Sequence, residues 1–132
     1  MEKRPVRHVP LVGDVAAGTD VLAEQNVEEL LPVPADFAGE GELFMLRVRG
    51  DSMIDDHICD GDVVVLESRE VPREGETVVA LINREECTLK RFHRDGGKVT
   101  LMPANPNLKP MVFPAEDVEI QGVVIGVLRR FN

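Results

Sequence analysis

Leu43-Phe44-Met45-Leu46-Arg47-Val48 runs directly into Arg49-Gly50-Asp51-Ser52-Met53: an apolar β-type run broken by a turn that presents one hydroxyl. Ile54-Asp55-Asp56-His57-Ile58-Cys59-Asp60-Gly61-Asp62 follows, and then a second apolar run, Val63-Val64-Val65-Leu66. A serine where a strand gives way to a turn is held exposed on a rigid frame, which suits a nucleophile. The same residues support a plainer reading. Ser52 with Asp55 three residues later fits a capping box that opens a short helix.

Outward from this stretch the signals are nearly all β. Downstream, Thr77-Val78-Val79-Ala80-Leu81-Ile82 is a near-continuous apolar strand. Asn83 to Glu86 turns it back into Cys87-Thr88-Leu89-Lys90-Arg91-Phe92-His93, and Asp95-Gly96-Gly97 reverses into Lys98 to Met102. Met102 to Asn107 reads as loop from its prolines and asparagines. Val118 to Leu128 is a long last strand, with Gly122 and Gly126 as bend or bulge points. Upstream, Val9 to Gly13 is a short strand whose Pro10 suits an edge. Val21 to Leu31 reads as a short strand or a helical turn, ended by Pro32 and Pro34. Strands at this density predict an all-β, mainly antiparallel fold with short helical turns, built as curled sheets.

A chain of 132 residues is expected to form one domain with a real core. Residues 1–8 carry Lys3, Arg4, Arg7 and His8 and read as a flexible arm or linker remnant, leaving residues 9–132 as the domain. The net charge of −9 argues against a general nucleic-acid footprint, which needs a basic face to neutralise phosphates. No apolar run approaches the roughly 20 residues of a membrane span, and the N-terminus lacks a signal peptide's apolar stretch. Cys59 and Cys87 are too few for a disulfide framework and lack C-x-x-C spacing, so they read as reduced thiols in a cytoplasmic protein. Nothing in the pattern calls for a metal or a cofactor.

Two further segments bear on Ser52. Lys90 sits in mid-strand, where period-2 alternation puts it on one face with Thr88 and Phe92 while Leu89 points the other way. A lysine there can blunt an edge strand. Held on an apolar face it is instead desolvated, its pKa falls, and the neutral amine can take a proton from a serine. His8, His57 and His93 have no carboxylate-and-serine context for a histidine triad. Asp14-Val15-Ala16-Ala17-Gly18-Thr19-Asp20 has small side chains that bury little surface. It is either a surface turn or a peptide able to lie extended in a narrow cleft.

Taken together these segments resemble one family. Val9-Pro10-Leu11-Val12-Gly13-x-Val15-Ala16-Ala17-Gly18 is similar to the cleavage region of LexA repressors. Gly50-Asp51-Ser52-Met53 with Asp60-Gly61-Asp62 resembles the family's nucleophile motif, and Thr88-Leu89-Lys90-Arg91 its lysine strand. Gly122-Val123-Val124-Ile125-Gly126-Val127 resembles its terminal strand. The likeness covers residues 9–129, with intervals of 35 residues from Ala17 to Ser52 and 38 from Ser52 to Lys90.

The resemblance implies a self-cleaving serine–lysine peptidase domain of the LexA, phage-repressor and UmuD type, with a signal-peptidase-like fold. Ser52 would be the nucleophile and Lys90 the general base, with Thr88 orienting the amine. Ala17–Gly18 would be the scissile bond in a cleavage loop over residues 14–20, with Val15 and Ala16 leading into the cleft. The amides of Asp51 and Ser52 would hold the oxyanion, provided the Asp51 carboxylate faces solvent. It also implies stimulation by a RecA–single-stranded DNA filament and a homodimer through the C-terminal strand. The eight-residue arm cannot form the winged helix-turn-helix of a LexA repressor, so direct DNA binding by this chain is not expected. A UmuD-like accessory protein of a lesion-bypass polymerase, a non-catalytic dimerisation module and a peptidase acting on separate substrates are the other readings.

Overall fold

The computed structural model describes residues 5–15, 27–37 and 41–131. They contain nine strands and two short 3₁₀ turns, so the all-β expectation holds. The strands are β1 (Val6–Asp14), β2 (Glu29–Pro34), β3 (Leu43–Arg47), β4 (Val63–Glu67), β5 (Thr77–Ile82), β6 (Glu86–Asp95), β7 (Lys98–Met102), β8 (Met111–Pro114) and β9 (Val118–Leu128). They are hydrogen-bonded in the order β2-β1-β3-β4-β9-β5-β6-β7-β8. Connectivity is thus one open sheet that is mainly antiparallel, as expected, and mixed through the parallel pair β1 and β3.

The curled sheets expected from the pattern are two limbs of this one sheet, joined by β9. Its C-terminal half pairs with β4 and its N-terminal half with β5. The register slips on each side, leaving Ile125 unmatched opposite β4 and Gln121 unmatched opposite β5. A bulge bends its strand, and here the two bulged residues stand immediately before the glycines singled out in the sequence. At Gly122 the reason for a glycine is space. A Cβ would lie 2.9 Å from Phe44 Cζ and 3.2 Å from the Glu67 carbonyl oxygen.

Bending lets both limbs contribute to one core. Phe44, Leu46, Val64 and Leu66 from one limb join Val79, Leu81, Cys87 and Leu89 from the other, together with Met53 from the serine turn. Two smaller clusters cover the opposite faces. Val9, Leu11, Met45 and Val65 form one, and Val78, Phe92, Leu101 and Ile120 the other.

Four local expectations change. Pro32 does not end β2, which runs on to Pro34 as an edge strand paired, among the described residues, to β1 alone. Pro10 is not at an edge, but β1 meets β3 only from Leu11 onward, so the missing amide falls where that ladder has not begun. β1 starts at Val6, inside the anticipated arm, and Arg7 donates to the Gly41 carbonyl at 2.8 Å. β8 had no alternation strong enough to announce it. The rest of Val21 to Leu31 before Val27 lies outside the described residues.

Candidate active site

The serine turn is built by stitching Val48–Met53 to the two loops beside it. Gly50 has φ 86°, a left-handed backbone that glycine adopts without strain. Its N–H donates to Asp60 Oδ1 at 2.7 Å. Val48 N–H donates to the Asp62 carbonyl (2.7 Å) and Gly61 N–H to the Val48 carbonyl (2.8 Å). Asp60-Gly61-Asp62 therefore braces the turn from below. The Asp62 carboxylate is 3 % exposed and accepts from Cys59 N–H (2.8 Å) and from Arg129 Nε and Nη2 (2.7 Å each). The Arg129 hydrogen bonds hold its carboxyl below the usual range. Met53 is fully buried, so the turn is anchored in the core one residue past Ser52.

No side-chain cap is present. The 3₁₀ turn Ile54–Asp56 starts from Met53 and receives no capping bond, so the capping-box reading of Ser52 and Asp55 fails. Ser52 is half-buried at the mouth of a cleft of about 480 Å³, and its Oγ donates to the Leu89 carbonyl at 3.5 Å. Asp51 beside it is exposed, which keeps its charge in solvent.

Lys90 lines the same cleft from β6. It is 9 % exposed, and Nζ donates to Thr88 Oγ1 at 2.6 Å. Burial lowers its pKa below the ordinary 10.5, and the negative charge of Glu86 opposes that shift. A solvated gatekeeper lysine would be exposed, so that alternative does not describe this residue. Thr88 is itself buried, and its bond to Nζ matches the shared face expected from alternation. Leu89 points the other way, into the central core. β7 pairs with β6 only from Arg91 to Asp95, so residues 87–90 line the cleft with an unladdered edge among the described residues. Arg91 Nε donates to Asp56 Oδ2 at 2.8 Å, tying the lysine strand to the turn after the serine.

Val15 completes the lining. It is 8 % exposed, and its N–H donates to the Arg47 carbonyl at 2.8 Å. Asp14 accepts from Arg47 (2.6 Å) and Arg49 (2.8 Å), and Glu28 accepts from Arg47 at 3.1 Å. Burial opposes ionisation of Asp14, but the two arginines outweigh it and hold the carboxyl below its ordinary value. The chain is thus pinned on both sides of residues 16–26. Ala16, Ala17 and Gly18 lie outside the described residues.

Ser52 and Lys90 are not hydrogen-bonded to one another here. One cleft nonetheless carries a serine hydroxyl and a desolvated lysine in its lining, the two side-chain types that a serine–lysine pair uses. Comparison with known families decides what kind of domain this is, because residues 10–125 match the model described as Peptidase S24-like.

The chain belongs to the peptidase S24 family.

This S24 domain is also similar to full-length proteins. It is 49% identical over 122 residues to the LexA repressor of Corynebacterium efficiens, covering 92% of this chain and 51% of that protein. To the LexA repressor of Desulfatibacillum aliphaticivorans it is 47% identical over 125 residues, 92% of this chain and 61% of the relative. To that of Desulfitobacterium hafniense (strain DCB-2) it is 45% identical over 128 residues, 97% of this chain and 61% of the relative. The chain spans about half to three fifths of the length of these relatives. It is an S24 domain of the LexA type.

One contributor escaped the sequence reading. Asn105 is 8 % exposed and donates from Nδ2 to the Asp51 carbonyl at 2.9 Å. In the sequence it is one loop asparagine among prolines, and no local signal separates it from Asn107.

Proposed function

We propose that this S24 domain cuts its own Ala17–Gly18 bond, with Ser52 as nucleophile and Lys90 as general base. The observation that carries the reading is the shared cleft. Ser52, buried Lys90 and Val15 line one space, and Val15 stands two positions before Ala17 in the chain. Neutral Lys90 takes the Ser52 proton as Oγ attacks the Ala17 carbonyl carbon. The amides of Asp51 and Ser52 hold the resulting oxyanion. The intermediate collapses to an Ala17–Ser52 ester and releases the Gly18 amine, which receives the proton from Lys90. Water then hydrolyses the ester, Lys90 again acting as base.

Tethering makes the attack intramolecular, so proximity replaces affinity for a separate substrate. Residues 9–132 form the working unit in this reading, with 14–20 as its substrate loop. Docking of that loop expels water from Lys90 and favours the neutral amine. A RecA–single-stranded DNA filament, implied by the resemblance to LexA repressors, acts by binding the docked state better than the undocked one.

A second role coexists with the first. β5 leaves β9 at Val123, so among the described residues Val124 to Leu128 bond to β4 on one side only, and Val127 and Leu128 are exposed. Two copies pairing along this edge form the homodimer.

Intact mass against time at alkaline pH tests the main reading, at two protein concentrations, for the chain and its Ser52→Ala variant. Fragments 1–17 and 18–132 should appear with a rate constant independent of concentration, and the variant should stay whole. Equal cutting in both would defeat the assignment of Ser52.

A further inference from the structure

The turn that carries Ser52 is held from behind by a loop the peptidase reading does not use. Asn105 Nδ2 donates to the Asp51 carbonyl (2.9 Å), and Asn105 Oδ1 accepts Asn107 N–H (2.9 Å). Both partners are main-chain groups of fixed polarity, so only one orientation of the amide satisfies them. Ala104 adds two main-chain bonds, its N–H to the Ser52 carbonyl (2.8 Å) and its carbonyl to Asp55 N–H (2.8 Å). Ile54 N–H also reaches the Asp51 carbonyl, at 3.2 Å.

Asp51 C=O and Ser52 N–H belong to one peptide unit. That unit is planar and trans, so the two groups point in opposite directions. Asn105 lies on the far side of the turn, lining a neighbouring hollow with Asp55 and Asp56 and not the Ser52 cleft. A carbonyl drawn back toward Asn105 turns the Ser52 amide forward. We propose that Asn105 is a positioning residue for oxyanion stabilisation, its amide fixing the Asp51–Ser52 peptide plane so that the Ser52 N–H faces the reacting carbonyl. The bond also polarises the peptide and makes that N–H a better donor. Asn105 touches no reacting atom. This inference rests on the peptidase reading above.

Self-cleavage rates against pH for the unaltered chain, Asn105→Ala and Asn105→Asp test it. Loss of a direct oxyanion donor costs about 10²–10³ in rate. Loss of the group that aims the donor should lower the alkaline plateau by about 10- to 100-fold. In Asn105→Ala the midpoint of the rise should not move, since Lys90 and its neighbours are untouched. Asn105→Asp keeps the side chain's shape and the bond from Asn107 but offers no donor to Asp51, so it decides the matter if the alanine variant melts. A second readout is independent of cutting. The Ser52 backbone 15N resonance, recorded in mildly acidic buffer, should move upfield in both variants as its peptide carbonyl loses a hydrogen bond. Variants that cut at the unaltered plateau, or an unmoved Ser52 resonance in a folded variant, overturn the proposal and leave the peptidase reading standing. An unaltered chain that does not cut removes both.

Discussion

Lys90→Met should stabilise the domain while abolishing cleavage. Lys90 is 9 % exposed, and among the described residues its amine has one hydrogen-bond partner, Thr88 Oγ1. Methionine has nearly the same length and no charge to desolvate. Replacing a buried ion pair with apolar side chains of similar volume is often neutral or stabilises by about 1–4 kcal/mol, and a lone buried ammonium carries the same kind of desolvation cost. Thr88 loses a donor, which offsets about 1 kcal/mol of that gain. The net gain of up to about 3 kcal/mol corresponds to a Tm rise of up to about 10 °C at this chain length. The gain also depends on pH. Burial lowers the folded pKa of Lys90 beneath the ordinary 10.5, so below that folded value both states carry the proton and the cost is fully present. Between the two values folding releases a proton, and stability of the lysine form rises with pH. The advantage of methionine is therefore greatest on the acid side of that window and shrinks as pH approaches 10.5. Thermal unfolding of Ser52→Ala and Ser52→Ala/Lys90→Met, across neutral to alkaline pH, measures it without interference from cutting. A methionine variant that melts lower at neutral pH, or a gap that stays constant with pH, would refute the claim that Lys90 is held at a desolvation cost.

Three other outcomes follow from the fold. Gly122→Ala places a Cβ 2.9 Å from the buried Phe44 ring, and overpacking of this kind costs about 1–3 kcal/mol, read as a lowered denaturant midpoint. Asp62→Asn should lower stability at neutral pH and flatten its acid dependence. The Arg129-paired carboxylate contributes above its ordinary pKa of 3.8, and that contribution is lost as pH falls through its lower folded value; urea midpoints at several acid pH values would expose a variant with an unchanged slope. Val124→Pro should weaken the proposed dimer, because it disturbs the half of β9 that the proposal pairs with a second copy; light scattering of both forms checks this, and a strict monomer in the unaltered chain or a dimer unaffected by the proline would refute that interface.

Much of the fold was legible because strands announce themselves by local pattern. Val118–Leu128 has the bounds read from its sequence, and Thr77–Ile82 likewise. Errors fell where pairing partners decide the outcome. Whether Pro32 ends a strand depends on which side of it faces another strand, and that is a property of the sheet. β8 is held by β7 through four partners, and its own four residues carry too little periodicity to predict it.

The site divides in the same way. Ser52, Thr88 and Lys90 were identifiable as residue types in an ordered set, and the sequence alone carried the family likeness and the candidate bond after Ala17. Whether Ser52 capped a helix or lined a cleft, and whether Lys90 was a solvated edge charge or a desolvated amine, could not be read locally. Both questions turn on burial, which is set by segments distant in the chain. The amine is buried by the packing of β6 against the serine turn, and Ser52 is presented by bonds from Asp60 and Asn105, 8 and 53 positions away. Residue types and their order were determined by the sequence; solvent exposure and the aim of each polar group were decided only when the two limbs closed on a common core.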